Sequence, residues 1–370
     1  MGALNRRQFN SAIIGSASAA WLTQKDAAAR HQPNEVAARA SITDVPGIRV
    51  GHFTDPRRPT GCTAILFDGD ATAGVDYDGS APGSYLGVLL QPVSPIETIH
   101  GMLLTGGGPM GLAAVPGAVR YLEERKTGFD WGIPNVRIPI VVGAVIDDLA
   151  LGDARIRPDA EAAYKACQTA SSSPVEEGNV GVGSGATIGK MLRGFKGMKS
   201  GLGTSSLRVG DVVIGALVVV NAVGDIIDWR TGRIVAGARR PDGKGFANII
   251  ETLKSGGRHQ NAFLRELQDP VLHSTTLVVV ATNAKFSKTA MTKIAMMAST
   301  GAARTINPYH TNGDGDSTFA VSTGKLNSDL GISVIGALAA DVVSESVLRA
   351  VKAARSVEGW PSWNEVTNGK

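Results

Sequence analysis

Two short stretches of β-branched and apolar residues, 209–223 and 275–282, constrain the fold of this chain most. Their composition predicts β-strands, because Val, Ile and Thr favour the extended backbone. Further strands are predicted at 48–50, 63–67, 100–104, 136–146 and 317–323, with a hairpin at 225–237. Helical spacing of apolar residues predicts helices at 109–124, 158–167, 246–254, 287–303 and 332–356. This mixture predicts a mixed β-sheet covered by helices rather than a β-sandwich or a helix bundle.

The composition is that of a globular protein without a large electrostatic bias. Of the 370 residues, 43% are hydrophobic, and the formal net charge is only +4. These values argue against a disordered chain. The basic residues form no long stripe with interleaved aromatic residues, so the sequence does not indicate a nucleic-acid-binding protein. No internal repeat of solenoid length occurs, and we expect a single domain over residues 42–370.

The first forty residues have the pattern of an export signal. Arg6 and Arg7 precede an apolar run at 11–22, and small residues follow at 27–29. This order predicts a twin-arginine-like signal over residues 1–29 and a linker over 30–41. The protein is then periplasmic or secreted, without a stable membrane anchor, because the apolar run is too short to span a bilayer. The alternative is an N-terminal extension of a cytoplasmic protein.

Several common catalytic motifs are missing from the sequence. It contains neither the G-x-S-x-G motif of α/β-hydrolases nor the H-E-x-x-H motif of zinc peptidases. Residues 181–190 are similar to a phosphate-binding loop, but Ser184 stands where that motif has glycine, and Met191 follows Lys190. Nucleotide binding therefore stays the weaker alternative. We expect no metal and no organic cofactor.

Four features remain, and each has a structural explanation as well as a functional one. Thr275 begins a very apolar strand, and Asp314 and Asp316 flank a single glycine. Lys190 lies in a glycine-rich stretch, and Asn221 interrupts an apolar strand. Taken singly, Thr275 is explained as an ordinary strand residue, and the two aspartates as part of a turn. Lys190 is explained as the start of a surface helix at 190–193, and Asn221 as the end of its strand.

Taken together, the four features fit catalysis by an N-terminal nucleophile. Cleavage between Ser274 and Thr275 would free an α-amine on the residue that carries the hydroxyl. An α-amine, with its usual pKa near 7.7–8.0, is a suitable general base at neutral pH. The carboxylate pair would orient and balance that amine. A lysine or an asparagine would stabilise the oxyanion.

Most of the chain resembles the DmpA-type family of self-processing hydrolases. This family includes L-aminopeptidase/D-amidase/D-esterases, β-peptidyl aminopeptidases and nylon-oligomer (6-aminohexanoate oligomer) endohydrolases. The resemblance is carried by six ordered blocks between residues 42 and 357: DVPGIRVGH (44–52), LTGGGPMGL (104–112), VVGAVIDDL (141–149), GALVVVNAVGDIID (215–228), STTLVVVATN (274–283) and HTNGDGDSTFA (310–320).

The resemblance implies a four-layer αββα sandwich of the N-terminal-nucleophile-hydrolase type. It also implies cleavage after Ser274 into a large chain and a small chain that begins with the nucleophile Thr275. The family's lysine and asparagine match Lys190 and Asn221, and the Asp-Gly-Asp pair of the nylon-oligomer enzymes matches Asp314 and Asp316. A tyrosine near the substrate in that branch falls on Asp147, which we assign to substrate binding.

The resemblance further implies a homo-oligomer, commonly a tetramer, that hydrolyses amide bonds of small peptides or amide oligomers through an acyl-enzyme. One alternative is an aminopeptidase for D- or β-amino-acid N-termini. An alternative of another class is an unprocessed binding protein on the same scaffold.

Overall fold

The structure is a computed structural model that describes residues 40–192, 194–243, 245–256 and 274–368. The predicted export signal and most of the predicted linker lie outside these ranges. The described residues form one compact unit. Within the described ranges, no helix is long and apolar enough to cross a membrane.

The described strands are β1 (Ile48–Thr54), β2 (Gly61–Tyr77), β3 (Ser84–Tyr85), β4 (Thr98–Thr105), β5 (Phe129–Asp130), β6 (Arg137–Ile138), β7 (Val141–Val145), β8 (Thr187–Ile188), β9 (Met198–Lys199), β10 (Leu202–Val209), β11 (Val212–Asn221), β12 (Asp225–Asp228), β13 (Arg233–Ala236), β14 (Thr275–Ala284), β15 (Ile306–Asn307) and β16 (Ser317–Leu326). The described α-helices are α1 (Val115–Glu123), α2 (Ala160–Gln168), α3 (Ile249–Lys254), α4 (Lys288–Thr305), α5 (Ile332–Lys352) and α6 (Trp363–Asn368). Short 3₁₀ helices occur at Ile42–Asp44, Gly87–Leu90, Gly108–Ala114 and Gly181–Gly185.

The main sheet has the strand order β10-β11-β14-β16-β2-β4-β7-β3, with β1 also paired to β2. The long strand β2 joins the two halves of this sheet. Residues 61–67 of β2 pair with β1, whereas residues 72–77 pair with β16. Most pairs are antiparallel, but β14 and β16 run parallel, as do β4 and β7. The sheet is therefore mixed, as the sequence predicted.

Side chains that alternate along the strands form a central apolar core and an outer core under the helices on either side. On β11, Leu217 and Val219 contribute to a central core made by both halves of the sheet, while Val218 and Val220 pack with α4 and α5. Residues of β2, β4 and β7 likewise contribute to the central core on one face and pack with α1 and α2 on the other. Because successive strand residues point to opposite faces, each half of the sheet is covered on both sides. The order of layers is helix, sheet, sheet, helix, which confirms the predicted αββα sandwich.

Several element boundaries differ from the predictions. The helix predicted at 109–124 begins as the 3₁₀ helix Gly108–Ala114, and α1 starts only at Val115. The strand predicted at 136–146 is two strands, β6 and β7, because Pro139 lies between them and cannot donate to a ladder. The helix predicted at 246–254 covers only Ile249–Lys254, where the Asn248 side chain caps its first turn. Strand β10 was not predicted.

The close contact between α4 and α5 gives a stability prediction. A Cβ atom built on Gly301 of α4 would lie 2.1 Å from the Ala340 carbonyl oxygen of α5. Because that neighbour is backbone, Gly301→Ala should lower the free energy of unfolding by about 1–3 kcal/mol despite the better helix propensity of alanine. Urea denaturation followed by circular dichroism measures this change.

Gly331 provides the matched control for this substitution. It precedes α5 with a φ of −76°, and no heavy atom of the described residues lies within 4 Å of its built Cβ. Gly331→Ala should change the free energy of unfolding by less than about 1 kcal/mol. Equal effects of the two substitutions would contradict the close packing of α4 against α5.

Candidate active site

The ends of three central strands meet at one place in the sheet. Thr275, the first residue of β14, pairs with Asn221, the last residue of the antiparallel strand β11. Because β14 and β16 are parallel, the turn that leads into β16 lies at the same end, and Ser274 forms a bridge with Asp314. Asn221, Thr275 and Asp314, which are far apart in sequence, are therefore brought to the same end of the sheet.

The peptide bond between Ser274 and Thr275 is held from two sides. The Thr275 hydroxyl donates to the Ser274 carbonyl oxygen at 2.6 Å, and the Gly315 backbone N–H donates to the same oxygen at 2.9 Å. A Cβ on Gly315 would lie 2.7 Å from Thr275 Oγ1. Only glycine at position 315 leaves room for this arrangement.

The two carboxylates of the Asp-Gly-Asp turn have different surroundings. Asp316 Oδ1 accepts from the Thr276 backbone N–H at 2.6 Å. Asp314 Oδ2 accepts from Thr311 N–H and from Thr311 Oγ1 at 3.0 and 2.7 Å. Asp314 Oδ1 is buried without a hydrogen-bond partner among the described residues. Burial, followed by the charge of Asp316, raises the pKa of Asp314 to about 7.

The turn is held by the segment that follows β2. The Gly79 and Ala81 backbone N–H groups donate to the carbonyl oxygens of Asp316 and Asp314 at 3.0 and 2.9 Å. A Cβ on Gly79 would lie 2.4 Å from Asp314 O. The segment after β2 therefore fixes the backbone of both acidic residues.

Lys190 and Asn221 form the other side of the site. Lys190 is buried, and its Nζ donates to Asn221 Oδ1 at 3.0 Å. The same oxygen accepts from Thr187 N–H at 3.1 Å and from Thr187 Oγ1 at 3.3 Å, so it faces only donors. Asn221 Nδ2 donates to the Asp147 carbonyl oxygen at 3.0 Å, which leaves one amide hydrogen for another acceptor.

Burial changes the acid strength of the Lys190 ammonium. Desolvation lowers its pKa to about 8, although the charges of Asp314, Asp147 and Asp316 oppose this shift. Lys190 lies in a loop and is buried. It is therefore not the first residue of an exposed surface helix, which was its structural explanation. The phosphate-loop alternative is also wrong, because Gly181–Gly185 is a 3₁₀ helix followed by strand β8, whereas a phosphate loop opens an α-helix.

Buried polar groups hold the loops that carry Asp147 and Lys190. Asp148 forms a buried ion pair with Arg58 at 2.6 Å and accepts from Thr60 Oγ1 and the Gly107 N–H. This network fixes the chain next to Asp147, which is itself half-buried. Lys199, also buried, donates to the carbonyl oxygens of Gly183, Ala186 and Ser200 and so holds the segment that leads to Lys190.

The structure thus places all the predicted site residues in one region. It also adds contributors that sequence analysis missed, namely Thr187, the Gly315 N–H, and the Arg58–Asp148 pair. Thr187, Asp148 and Gly315 each lie inside a stretch that was singled out, but none of them was assigned a role there. The role of Thr187 depends on a contact with a residue 34 positions away, which no local pattern reveals.

The fold is the four-layer αββα sandwich of the Ntn-hydrolase type. The solved structure of the L-aminopeptidase D-Ala-esterase/amidase from Ochrobactrum anthropi, described as a variant of the Ntn hydrolase fold, has the same fold. It superimposes with a TM-score of 0.61 at 22% sequence identity, covering 85% of this chain and 86% of that one.

Sequence comparison identifies the family. The sequence model of peptidase family S58 matches residues 40–362, and the chain belongs to this family. An uncharacterized aminopeptidase of Mycobacterium leprae is 37% identical over 355 residues, which cover 87% of this chain and 93% of that protein. The 6-aminohexanoate-oligomer endohydrolase of Kocuria sp. is 30% identical over 330 residues, covering 84% and 85%. The protein is a hydrolase of amide bonds, and the predicted resemblance is confirmed.

The lowered pKa of Lys190 predicts a pH-dependent stability. Since the folded chain holds this proton less tightly than the unfolded chain, the free energy of unfolding should rise as the pH increases from about 8 to 10.5. Lys190→Met should remove this part of the rise and stabilise the fold at pH 7 by up to about 3 kcal/mol. Denaturant unfolding across this pH range measures both effects.

Lys285→Met, at an exposed position, is the control and should leave the profile as in the wild type. If the Lys190→Met profile is also unchanged, the buried ammonium does not titrate in this range and its electrostatic description is wrong.

Proposed function

We propose that this protein is an autoprocessed amidase in which Thr275 is the N-terminal nucleophile. The observation that carries this proposal is the position of the Thr275 hydroxyl, 2.6 Å from the carbonyl oxygen of the preceding peptide bond. The same oxygen accepts from the Gly315 N–H. A backbone donor of this kind would stabilise negative charge on that oxygen during attack.

Processing would proceed by an acyl shift from nitrogen to oxygen. Thr275 Oγ attacks the Ser274 carbonyl carbon, a C–O bond forms, and the C–N bond between the two residues breaks. The hydroxyl proton ends on the departing nitrogen, which becomes the α-amine of Thr275. Water then hydrolyses the ester, leaving a carboxylate on Ser274 and a free hydroxyl on Thr275.

In the processed enzyme, the α-amine of Thr275 would act as the general base. It accepts the hydroxyl proton while Oγ attacks the substrate carbonyl, and the proton then passes to the leaving amine. The Lys190 ammonium and the remaining amide hydrogen of Asn221 would stabilise the oxyanion. Asp314 Oδ1, which has no partner among the described residues, is the acceptor we assign to the new ammonium. Water releases the acyl group, and no step requires a metal or an organic cofactor.

We propose short peptides or amide oligomers as substrates, with Asp147 in contact with the substrate. The endohydrolase of Kocuria sp. acts on 6-aminohexanoate oligomers and supports an oligomer amidase. The Mycobacterium leprae relative is called an aminopeptidase, which favours cleavage at an N-terminus, including D- or β-amino-acid N-termini, as the second candidate. Comparing hydrolysis of a free and an N-acetylated amide oligomer separates them, because only an aminopeptidase needs the free amine.

Two further properties rest on the sequence and the family resemblance. We propose that the protein is exported through the twin-arginine-like signal at residues 1–29 and that it assembles as a homo-oligomer. Export by this route transports folded proteins, which agrees with a chain whose processing site forms only after folding.

Removing the Thr275 hydroxyl is the sharpest mutational test. Thr275→Val keeps the shape of the side chain but should leave a single uncut chain with no measurable amidase activity, because both reactions use the same oxygen. Thr275→Ser should retain partial processing and partial turnover. A denaturing gel and turnover of an aminoacyl-p-nitroanilide measure the two reactions.

Thr276→Val is the matched control for that series. The Thr276 hydroxyl is buried without a hydrogen-bond partner among the described residues, so its loss should leave processing intact. If the Thr275→Val chain is processed and the Thr276→Val chain stays uncut, the nucleophile is Thr276 and not Thr275.

Replacing either acidic residue of the turn with asparagine tests the carboxylate pair. Asp314→Asn and Asp316→Asn keep the size of the side chain and one accepting oxygen, so the fold should survive. Loss of the negative charge beside the Thr275 amine should reduce turnover by at least about 100-fold. Circular dichroism and turnover are measured on the same samples, and full activity in both variants would reject the assignment.

A further inference from the structure

Lys199 is a fully buried lysine whose side-chain nitrogen lies among backbone carbonyl oxygens. Its exposed fraction is 0%, and its Nζ donates to the carbonyl oxygens of Gly183, Ala186 and Ser200 at 3.1, 2.9 and 2.5 Å. Gly183 belongs to the 3₁₀ helix before β8, Ala186 directly precedes β8, and Ser200 directly follows β9. The side chain thus joins the segment before β8 to the segment after β9.

The three carbonyl oxygens match the donors of an ammonium group. A protonated lysine has three N–H groups, one for each of these oxygens. Burial lowers the pKa of Lys199 to about 7, while the charge of Asp148 opposes this shift. In the neutral amine, a lone pair would face one of the carbonyl oxygens, so the arrangement favours the ammonium. Two of the three bonds remain even in the neutral form.

Two of these oxygens also accept from the backbone. The Ala186 N–H donates to Gly183 O at 3.2 Å, and the Ser200 N–H donates to Ala186 O at 3.0 Å. Because a carbonyl oxygen has two lone pairs, the ammonium adds a second hydrogen bond at each. Hydrogen bonds from a charged donor are about twice as strong as those between neutral groups. At the Ala186 oxygen, the Lys199 ammonium is therefore the stronger donor.

The Ala186 carbonyl belongs to the peptide group that holds Asn221. Its oxygen accepts from Lys199, and at the other end of the same group the Thr187 N–H donates to Asn221 Oδ1 at 3.1 Å. A peptide group is planar, and in its trans form the C=O and the N–H point in opposite directions. The position of the Ala186 oxygen therefore sets the direction of the Thr187 N–H.

The same peptide group also transmits polarisation. A cation at a carbonyl oxygen makes the N–H of that group a better donor, and hydrogen bonds in a chain strengthen one another. This chain runs from Lys199 through the peptide group of Ala186 and Thr187 to Asn221 Oδ1. In the Asn221 side chain, the effect passes from Oδ1 to the hydrogens on Nδ2, one of which we assigned to the oxyanion.

We propose that Lys199 is a positioning residue that orients and polarises the Asn221 amide for stabilisation of the oxyanion. It acts through the peptide group of Ala186 and Thr187 rather than by contact with the reacting atoms. This inference rests on the proposed function, since it assumes that Asn221 donates to the oxyanion formed from the substrate.

Lys288 offers a matched control at the other end of the sheet. It is also buried, and its Nζ donates to the backbone carbonyl oxygens of Leu89, Ser94 and Ile96. It follows β14 at the end opposite to Thr275, and the 10 residues of this strand span about 30 Å. The two lysines thus have similar burial and the same kind of partner, but of the two it is Lys199 that connects to Asn221.

Replacing each lysine with methionine separates positioning from a general effect on the fold. Both changes remove a buried ammonium and keep most of the side-chain volume. Lys199→Met should reduce kcat by at least about 10-fold with little change in KM, which is part of the cost of losing an oxyanion donor. Lys288→Met should stay within about twofold of the wild type, because distant sites act independently. The value of kcat is expressed per processed molecule, from the small-chain band of a denaturing gel.

An Asn221→Ala background tests the route through the amide. This substitution alone should lower kcat by about 100-fold, as for loss of an oxyanion donor. Because Lys199 acts through the missing amide, adding Lys199→Met should lower kcat by less than about threefold more. A general structural role instead predicts the same loss in both backgrounds.

If Lys199→Met does not fold, Lys199→Gln takes its place in both backgrounds. The glutamine amide is neutral and has two N–H groups for three acceptors. Lys199→Gln should therefore reduce kcat by at least about threefold in the wild-type background, and this loss should disappear in the Asn221→Ala background.

The wild-type enzyme is measured first, so that two kinds of failure are distinguishable. An intact and inactive wild-type chain, or an Asn221→Ala enzyme with unchanged kcat, contradicts the proposed function and overturns this inference with it. With an active, processed wild type, unchanged kcat in the folded Lys199 variant overturns only the role of Lys199. An equal loss in Lys288→Met, or a loss that persists in full in the Asn221→Ala background, does the same.

Discussion

The pairing of β14 between β11 and β16 is the arrangement on which the site depends. β14 is buried over its whole length, and its register places Thr275 opposite Asn221. A shift of one residue would turn every side chain of β14 to the other face, exchanging the central core with the core under α4 and α5. The burial of Val278, Val279 and Val280 therefore fixes the position of Thr275. The packing of apolar side chains along β14 thus sets the position of Thr275, the proposed nucleophile.

The site concentrates charge in a place from which water is largely excluded. Lys190, Asp314 and Asp316 are all buried, and burial brings the pKa of Lys190 down and that of Asp314 up toward neutrality. Such groups are costly to bury, and the surrounding hydrogen bonds only partly offset this cost. Groups that titrate near neutral pH are suited to proton transfer, which is a reason for a hydrolase to retain them.

The sequence allowed the prediction of the main strands, the helices that cover them, and the set of residues that meet at the site. The strands followed from the long apolar runs of β11 and β14, and the site residues followed from the isolated polar features and the family resemblance. Strand β10 was missed, because its Gly-Thr-Ser-Ser segment has the composition of a loop and is a strand only by pairing with β11. The second half of β2 was missed for a similar reason, since Asp68, Gly69 and Asp70 look like a turn. The contacts of Thr187 and Lys199 depend on tertiary structure, so no local pattern indicated them.

Intact mass spectrometry combined with N-terminal sequencing of purified, active protein tests the central claim most directly. The account predicts two chains, with Thr275 as the N-terminal residue of the smaller one. Active protein that consists only of the uncut chain, or that is cut at another bond, would contradict it.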